Sequence, residues 1–383
     1  MSEQSHTVAT RLAEVRSLSN LNQAELAKKV GVSSSLISHW EKGTRVPSAA
    51  QLMELARQLG VALDYLLNSE VSPDFQCRAK ATRHDQSPDV DRALLNAAEQ
   101  IHFVNTALRL AQKTPRPFNL CADFSSVPDL PNFAGHLRDT LKLNRRVTLS
   151  EMKQALSEWN VFVFDWNMPW HLSGLSYRGP FTAIFINHLH PPTRRLFTLS
   201  HEFAHVLFHL GRETQDDTGK KTKHDTAVSI ASNKDPQEKQ ANAFAAEFLM
   251  PSAAIKELVE KRGRELRNVA QLDEAARRFN VSRDALFYRL TQHNLFGWKE
   301  KSRYFSGEFR PPPPPQERVA TADEIEAQVD PAFLQIALSL LNEHKISSGK
   351  VAEWFFAPRF VVDDYLSKLD AGIDLAISNG NDD

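Results

Sequence analysis

The chain has 383 residues, enough for two to four domains. Lysine plus arginine number 46 and aspartate plus glutamate 47, a net charge of −1 that excludes a uniformly basic nucleic-acid coat and an acidic tail protein. At 42% hydrophobic and 24% charged residues wholesale disorder is excluded, and two cysteines, Cys77 and Cys121, are too few for a disulfide framework or a cysteine-rich zinc module. Any nucleic-acid surface has to be local, and the low cysteine count fits a reducing compartment. The opening residues, MSEQSHTVATRLAEVRS, lack the apolar core of a secretory signal. No apolar run nears the ~18 residues of a membrane span, so a cytoplasmic protein without a membrane partner is expected.

In chain order, residues 7–67 read as short helices. Leu12, Val15 and Leu18, then Leu26, Ala27 and Val30, then Leu36, Ile37 and Trp40, then Leu52, Leu55, Ala56 and Leu59 recur at helical spacing. Gly31 parts the second helix from the third, Gly43 ends the third, and Pro47-Ser48 opens the fourth. Residues 69–90 have no apolar period and read as a linker. A helix is predicted from Asp91 to Lys113, an apolar-periodic segment around Leu137–Leu143, and a further helix in SEMKQALSEWN with Ser150 as its cap. VFVFD (161–165) and TAIFIN (182–187) read as strands, being β-branched and aromatic between turn residues. The long helix TRRLFTLSHEFAHVLFHL follows. Gly211 to Lys234 is polar and aperiodic, a loop or lid. Another helix runs from about Pro236 to Met250-Pro251, and helices fill 252–296. Pro311–Pro315 is a stiff spacer. The expected fold is α+β and mostly helical: residues 1–68, the linker 69–90, a second domain over 91–300, a proline-rich spacer over 301–321 and a helical region over 322–383.

The sharpest motif is His201-Glu202-Phe203-Ala204-His205. Each helical residue advances about 100°, so His201 and His205 stand one turn apart on one face and can reach one Zn²⁺. Glu202 lies beside them, placed to take a proton from water. A catalytic zinc takes three protein ligands. On the next helix Glu238 shares the inward face of Ala241, Ala245 and Phe248, where an acid is costly unless a cation pairs with it. Glu238 is therefore the expected third ligand, with Asp235 in reserve. Gln240 and Glu247 are expected to face water. His209 is expected beside the site or in the core, and nothing in their spacing selects among His188, His190 and His224 as a carbonyl-polarising group.

FTLSHEFAHVLFH followed by EKQANAFAAEFLMP, with the run-in LSGLSYRGPFTAIFINHLHPPTRRL, resembles the ImmA/IrrE family of zinc metallopeptidases over roughly residues 130–295. The resemblance implies a minimal thermolysin-like zincin fold, with His201, His205 and Glu238 as zinc ligands and Glu202 as catalytic base. Gln240 departs from the family, many of whose members carry a second glutamate there. In this family the peptidase typically cuts a DNA-bound repressor and so switches on stress or mobile-element genes.

NQAELAKKVGVSSSLISHWEKGTRVPSAAQLMELARQLGVALDYLL resembles the XRE (lambda-repressor-like) helix-turn-helix family, which implies a five-helix DNA-binding unit. Ala27 is small because two helices meet there, and Gly31 permits the sharp turn. In that geometry the third helix enters the major groove, so Ser34, Ser35 and Ser38 would face base edges while Gln23, Lys42 and Arg45 hold phosphates. Serines discriminate weakly among bases. The two later helix-turn-helix-like stretches, AQLDEAARRFNVSRDALFYRL and ISSGKVAEWFFAPRFVVDDYL, are read as structural. The expected function is thus a DNA-binding zinc metalloendopeptidase acting on a helix-turn-helix repressor, with TAIFIN binding the substrate by edge pairing. The alternative is a non-proteolytic regulator or antitoxin whose zincin fold is a sensor. Cleavage of the chain's own linker is a third possibility, and a homodimer is expected if the operator is palindromic.

Overall fold

The computed structural model describes residues 3–67, 88–114, 118, 129–210, 213–215, 221–223, 236–304 and 321–379. They form two compact units, residues 1–114 with 336–383, and residues 115–335. Cys77, Cys121, Asp235, His224, the proline run and nearly all of the linker lie outside the described residues, as does most of the expected lid, of which Glu213–Gln215 and Lys221–Lys223 pair as a short antiparallel ladder.

In the first unit the helices are α1 (Glu3–Leu18), α2 (Gln23–Val30), α3 (Ser34–Glu41), α4 (Ala49–Leu59) and α5 (Leu63–Leu67). Their ends follow from the residues. Asn22 and Ser48 form capping boxes with Glu25 and Gln51, and Ser33 caps α3. Gly31 closes α2 at φ 73°, a left-handed backbone that a Cβ disfavours, and this turn aims α3. Leu12, Val15, Leu26, Ala27, Ile37, Trp40, Leu55 and Tyr65 make the core. Helix α6 (Pro88–Leu110), expected at the head of the second domain, spends its apolar face here instead: Leu95 and Ala98 enter the same core. Arg92 donates to the carbonyls of Leu59 (2.8 Å) and Gly60 (3.0 Å), a cation at the C-terminus of α4, and Glu99 accepts from the Ala62 amide.

The second unit is built on a three-stranded sheet ordered β1 (Val161–Trp166), β3 (Thr182–Asn187), β2 (Gly174–Arg178). β1 runs parallel to β3, from Val161↔Thr182 to Trp166↔Asn187, and β2 antiparallel, from Gly174↔Ile186 to Arg178↔Thr182. All six residues of the central strand β3 are buried. Both its edges are occupied, so it cannot receive a substrate strand as expected. Strand β2, which the sequence reading did not identify, is an edge strand. The outer side of β1 is closed where the Val163 amide donates to Asp330 (2.9 Å), a fully buried acid that also caps the helix after it.

Helix α7 (Leu130–Thr140) precedes α8 (Leu149–Glu158), which is capped by Thr148 in a box with Glu151 and not by Ser150. Helix α9 (Pro192–Phe208) packs on β2 and β3, and α10 (Pro236–Leu249) packs on α9. Arginines, two of them buried, bond the carbonyls at both C-terminal ends. Arg178 donates to the carbonyls of Val206 (2.9 Å) and Leu210 (3.2 Å), while Arg138 and Arg289 donate to those of Phe248 and Met250. Leu199, Phe203, Phe244 and Phe248 fill the interface. Glu247, expected to face water, is buried and ion-paired to Arg289, which repays the desolvation that solvent exposure would have avoided. Helices α11 (Ser252–Arg262), α12 (Val269–Arg278), α13 (Arg283–Gln292) and α14 (Lys301–Tyr304) follow, so the first of the later helix-turn-helix-like stretches is part of this unit.

Helix α15 (Ala322–Gln328) lies on β1, and the division between the units falls inside α16 (Pro331–Asn342). Helices α17 (Ser348–Trp354) and α18 (Arg359–Asn379) belong to the first unit, where Lys350 donates to Asp64 of α5 (2.7 Å). The expected C-terminal region is therefore shared between both units. The fold is α+β and mostly helical, as expected.

Candidate functional site

The i, i+4 spacing on α9 sets the two imidazoles on one face, and α10 brings Glu238 to them across the aromatic interface. Nε2 of His201 lies 3.2 Å from Oε2 of Glu238, Nε2 of His205 lies 3.0 Å from its Oε1, and the two Nε2 atoms are 3.1 Å apart. Among the described residues this is the group of ligating side chains that converges closely enough to hold a metal ion. Donors about 2.0–2.1 Å from a tetrahedral zinc stand about 3.3 Å from each other, close to these separations. Three such atoms packed at these distances need a proton or a cation among them, and two imidazoles with a carboxylate are a donor set that fits a divalent metal.

The electrostatics agree. Burial would raise the pKa of Glu238, but the adjacent imidazoles of His201 and His205 outweigh it and hold the carboxyl well below its usual range. Burial lowers that of His201, yet the bond to Glu238 and the charges of Glu202 and Glu238 raise it overall. The cluster holds a carboxylate against positive charge.

Glu202 is buried beside this group, and its pKa is raised, chiefly by burial. The Ser176 hydroxyl donates to its Oε2 at 2.9 Å. Strand β2 can come this close because residue 174 is glycine: a Cβ there would stand 2.8 Å from Cγ of Glu202 and from Cγ2 of Thr198. A cleft of about 760 Å³ opens onto His201, Glu202 and Glu238. Its lining also includes Trp170, His171, Phe197, Met250 and Tyr288 of α13. The loop bearing Trp170 and His171 is clamped by the buried side chain of Asn187, which donates to the carbonyls of Met168, Pro169 and Leu172.

His190 and His188 are not among the cleft-lining residues. His190 bonds the Trp170 carbonyl at 2.8 Å, and burial lowers its pKa to about 4; His188 stands by Asp165 and Arg195. His209 lies outside the converging group. It bridges His205 and Gln240, with a pKa lowered to about 4, mainly by burial. Gln240, expected in water, is half-buried at this contact. Ser176, His171 and Tyr288 escaped the sequence reading. The one available signal was Gly174 and Gly179-Pro180 bracketing LSYR, a strand with turn residues at its ends.

On the first unit Ser34 and Ser35 are exposed at the N-terminal end of α3, Ser38 is half-buried, and Lys42 and Arg45 are exposed just beyond it. Gln23 is half-buried, its amide nitrogen bonded to Glu41, which also pairs with Arg16. Residues 12–66 match the helix-turn-helix family model, and residues 160–291 match that of the IrrE N-terminal-like domain. The chain joins a helix-turn-helix domain to an IrrE-like domain. The IrrE-like match runs from β1 to α13 and so contains His201, Glu202, His205 and Glu238. It is a metallopeptidase-like domain, and the helix-turn-helix makes the chain a DNA-binding regulator. No solved structure matches the chain. No described helix is long and apolar enough to cross a membrane.

Proposed function

We propose that the chain is a DNA-binding zinc metalloendopeptidase that regulates transcription by cutting a DNA-bound repressor, itself a helix-turn-helix protein. The observation that carries this reading is the convergence of His201, His205 and Glu238 beside Glu202, with His201, Glu202 and Glu238 lining an open cleft. Two imidazoles and a carboxylate are a donor set that zinc takes in hydrolytic sites, and a bound zinc supplies Lewis acidity to the scissile carbonyl and to water. The chain's own residues do the rest. Gly174, at the head of the edge strand β2, lines the cleft, so an extended substrate pairs with the backbone of β2. Glu202, with its raised pKa, takes the proton of the attacking water and passes it to the leaving amine. Ser176 holds that carboxylate in place. Ser34, Ser35 and Ser38 read bases while Gln23, Lys42 and Arg45 hold phosphates, which delivers the peptidase to its operator.

The test is incubation of the purified, zinc-loaded chain with candidate helix-turn-helix repressors, followed by mass analysis. Wild type cuts a repressor at one bond, and Glu202→Gln slows the cut by roughly 10²–10⁴-fold while still binding zinc. An inert wild type that binds stoichiometric zinc, with regulation in cells untouched by Glu202→Gln but lost in Ser35→Ala plus Gln23→Ala, would overturn the peptidase reading in favour of a non-proteolytic regulator.

A further inference from the structure

His209 is half-buried against the cluster without joining it, and its two nitrogens make two different bonds. Nδ1 lies 2.9 Å from Nδ1 of His205, and Nε2 lies 2.9 Å from Oε1 of Gln240. An amide oxygen only accepts, so Nε2 of His209 carries the proton and donates. Nδ1 of His209 is then a lone pair, and Nδ1 of His205 must donate to it. That leaves Nε2 of His205 without a proton, and this is the atom that faces His201 and Glu238. Reversing the chain of bonds would put a proton on that atom and spoil it as a ligand.

We propose that Gln240 and His209 are positioning residues, a directed hydrogen-bond relay that fixes the tautomer of His205 and keeps its Nε2 available to a metal. The inference rests on the metal-site reading above. Helix α10 treats the other imidazole in the same way by a shorter route: Nδ1 of His201 lies 3.1 Å from Oδ1 of Asn242. One helix thus presents a ligand at 238 and amides at 240 and 242 that orient both histidines of α9. Outer partners of metal-bound histidines commonly govern affinity in this manner.

The test uses the full chain and zinc alone, in competition with a chromogenic chelator. His209→Leu and Gln240→Leu lose the acceptor or its orientation and weaken zinc binding by roughly 10–100-fold. His209→Asn and Gln240→Glu keep an acceptor in place and stay within about threefold of wild type. Nitrogen-15 spectra of the zinc-loaded wild type show His209 protonated on Nε2 and His205 on Nδ1. A wild type that binds one zinc alongside a His209→Leu variant of equal affinity overturns the relay alone. A His209 protonated on Nδ1 in the wild type does the same, even if the leucine variants fail to fold. A wild type that binds no zinc overturns the metal reading and the relay with it.

Discussion

Gly174 shows how a single missing side chain shapes the site. The strand lies against Glu202 and Thr198 so closely that a methyl group has no room. Gly174→Ala is expected to cost about 1–3 kcal/mol in urea unfolding and to disturb the Ser176–Glu202 bond, lowering cleavage beyond what the stability loss explains. At this scale the sequence was partly legible. His201, Glu202 and His205 are local, one turn of one helix, and their convergence follows from the 3.6-residue repeat. Glu238 was found by its place on an apolar stripe. The same arithmetic failed for Glu247, because it assigns a face but not a partner. Arg289 and Ser252 both reach it, and a buried acid is tolerated only when such partners arrive. Gln240 was misplaced for a similar reason: its long side chain reaches back to His209.

Elements were legible where their periodicity is strong and obscure where pairing decides. β1, β3, α9 and α10 lie where the sequence puts them. β2 is five residues that open on Gly174 and stop before Gly179, and only its ladder with β3 makes it a strand and an edge. α6 was recognisable as a helix, but its amphipathic face does not say which core it joins. Its junction with the helix-turn-helix yields a pH prediction. Burial raises the pKa of Glu99 to about 7, against the opposing bond from the Ala62 amide and the charge of Arg92; the acids Glu353 and Asp64 add to the rise. Between about pH 4.5 and 7 the folded chain keeps a proton that the unfolded chain has released, so stability falls as pH rises through that window. Glu99→Gln should flatten this slope, which is on the order of 3 kcal/mol in full, when urea midpoints are compared across the window.

For the whole molecule, the net charge of −1 leaves DNA binding to a few local cations. Residues 1–68 hold seven lysines and arginines against six acids, so few phosphates are neutralised and affinity should fall with salt in proportion to those few contacts. Lys42→Ala with Arg45→Ala is expected to weaken operator binding across sequences and to reduce the slope of log affinity against log salt by about 2. The same variant should still bind zinc and cut a repressor free in solution, while Glu202→Gln should bind the operator with unchanged salt dependence. Coupled loss of both activities in either variant would argue against two separable tasks.

The sequence by itself determined the helix periods, the HExxH spacing and the presence of both domains, since each is written within a few turns of chain or within a matched segment. Tertiary structure decided what covers what: β2 as an edge strand, α6 on the helix-turn-helix core, Glu247 inside, and Gln240 behind His209. The physical reason is range. Periodicity specifies that a face must leave water, but the hydrophobic effect that buries it has no direction. The partner is chosen only by shape and hydrogen bonding among residues tens of positions apart.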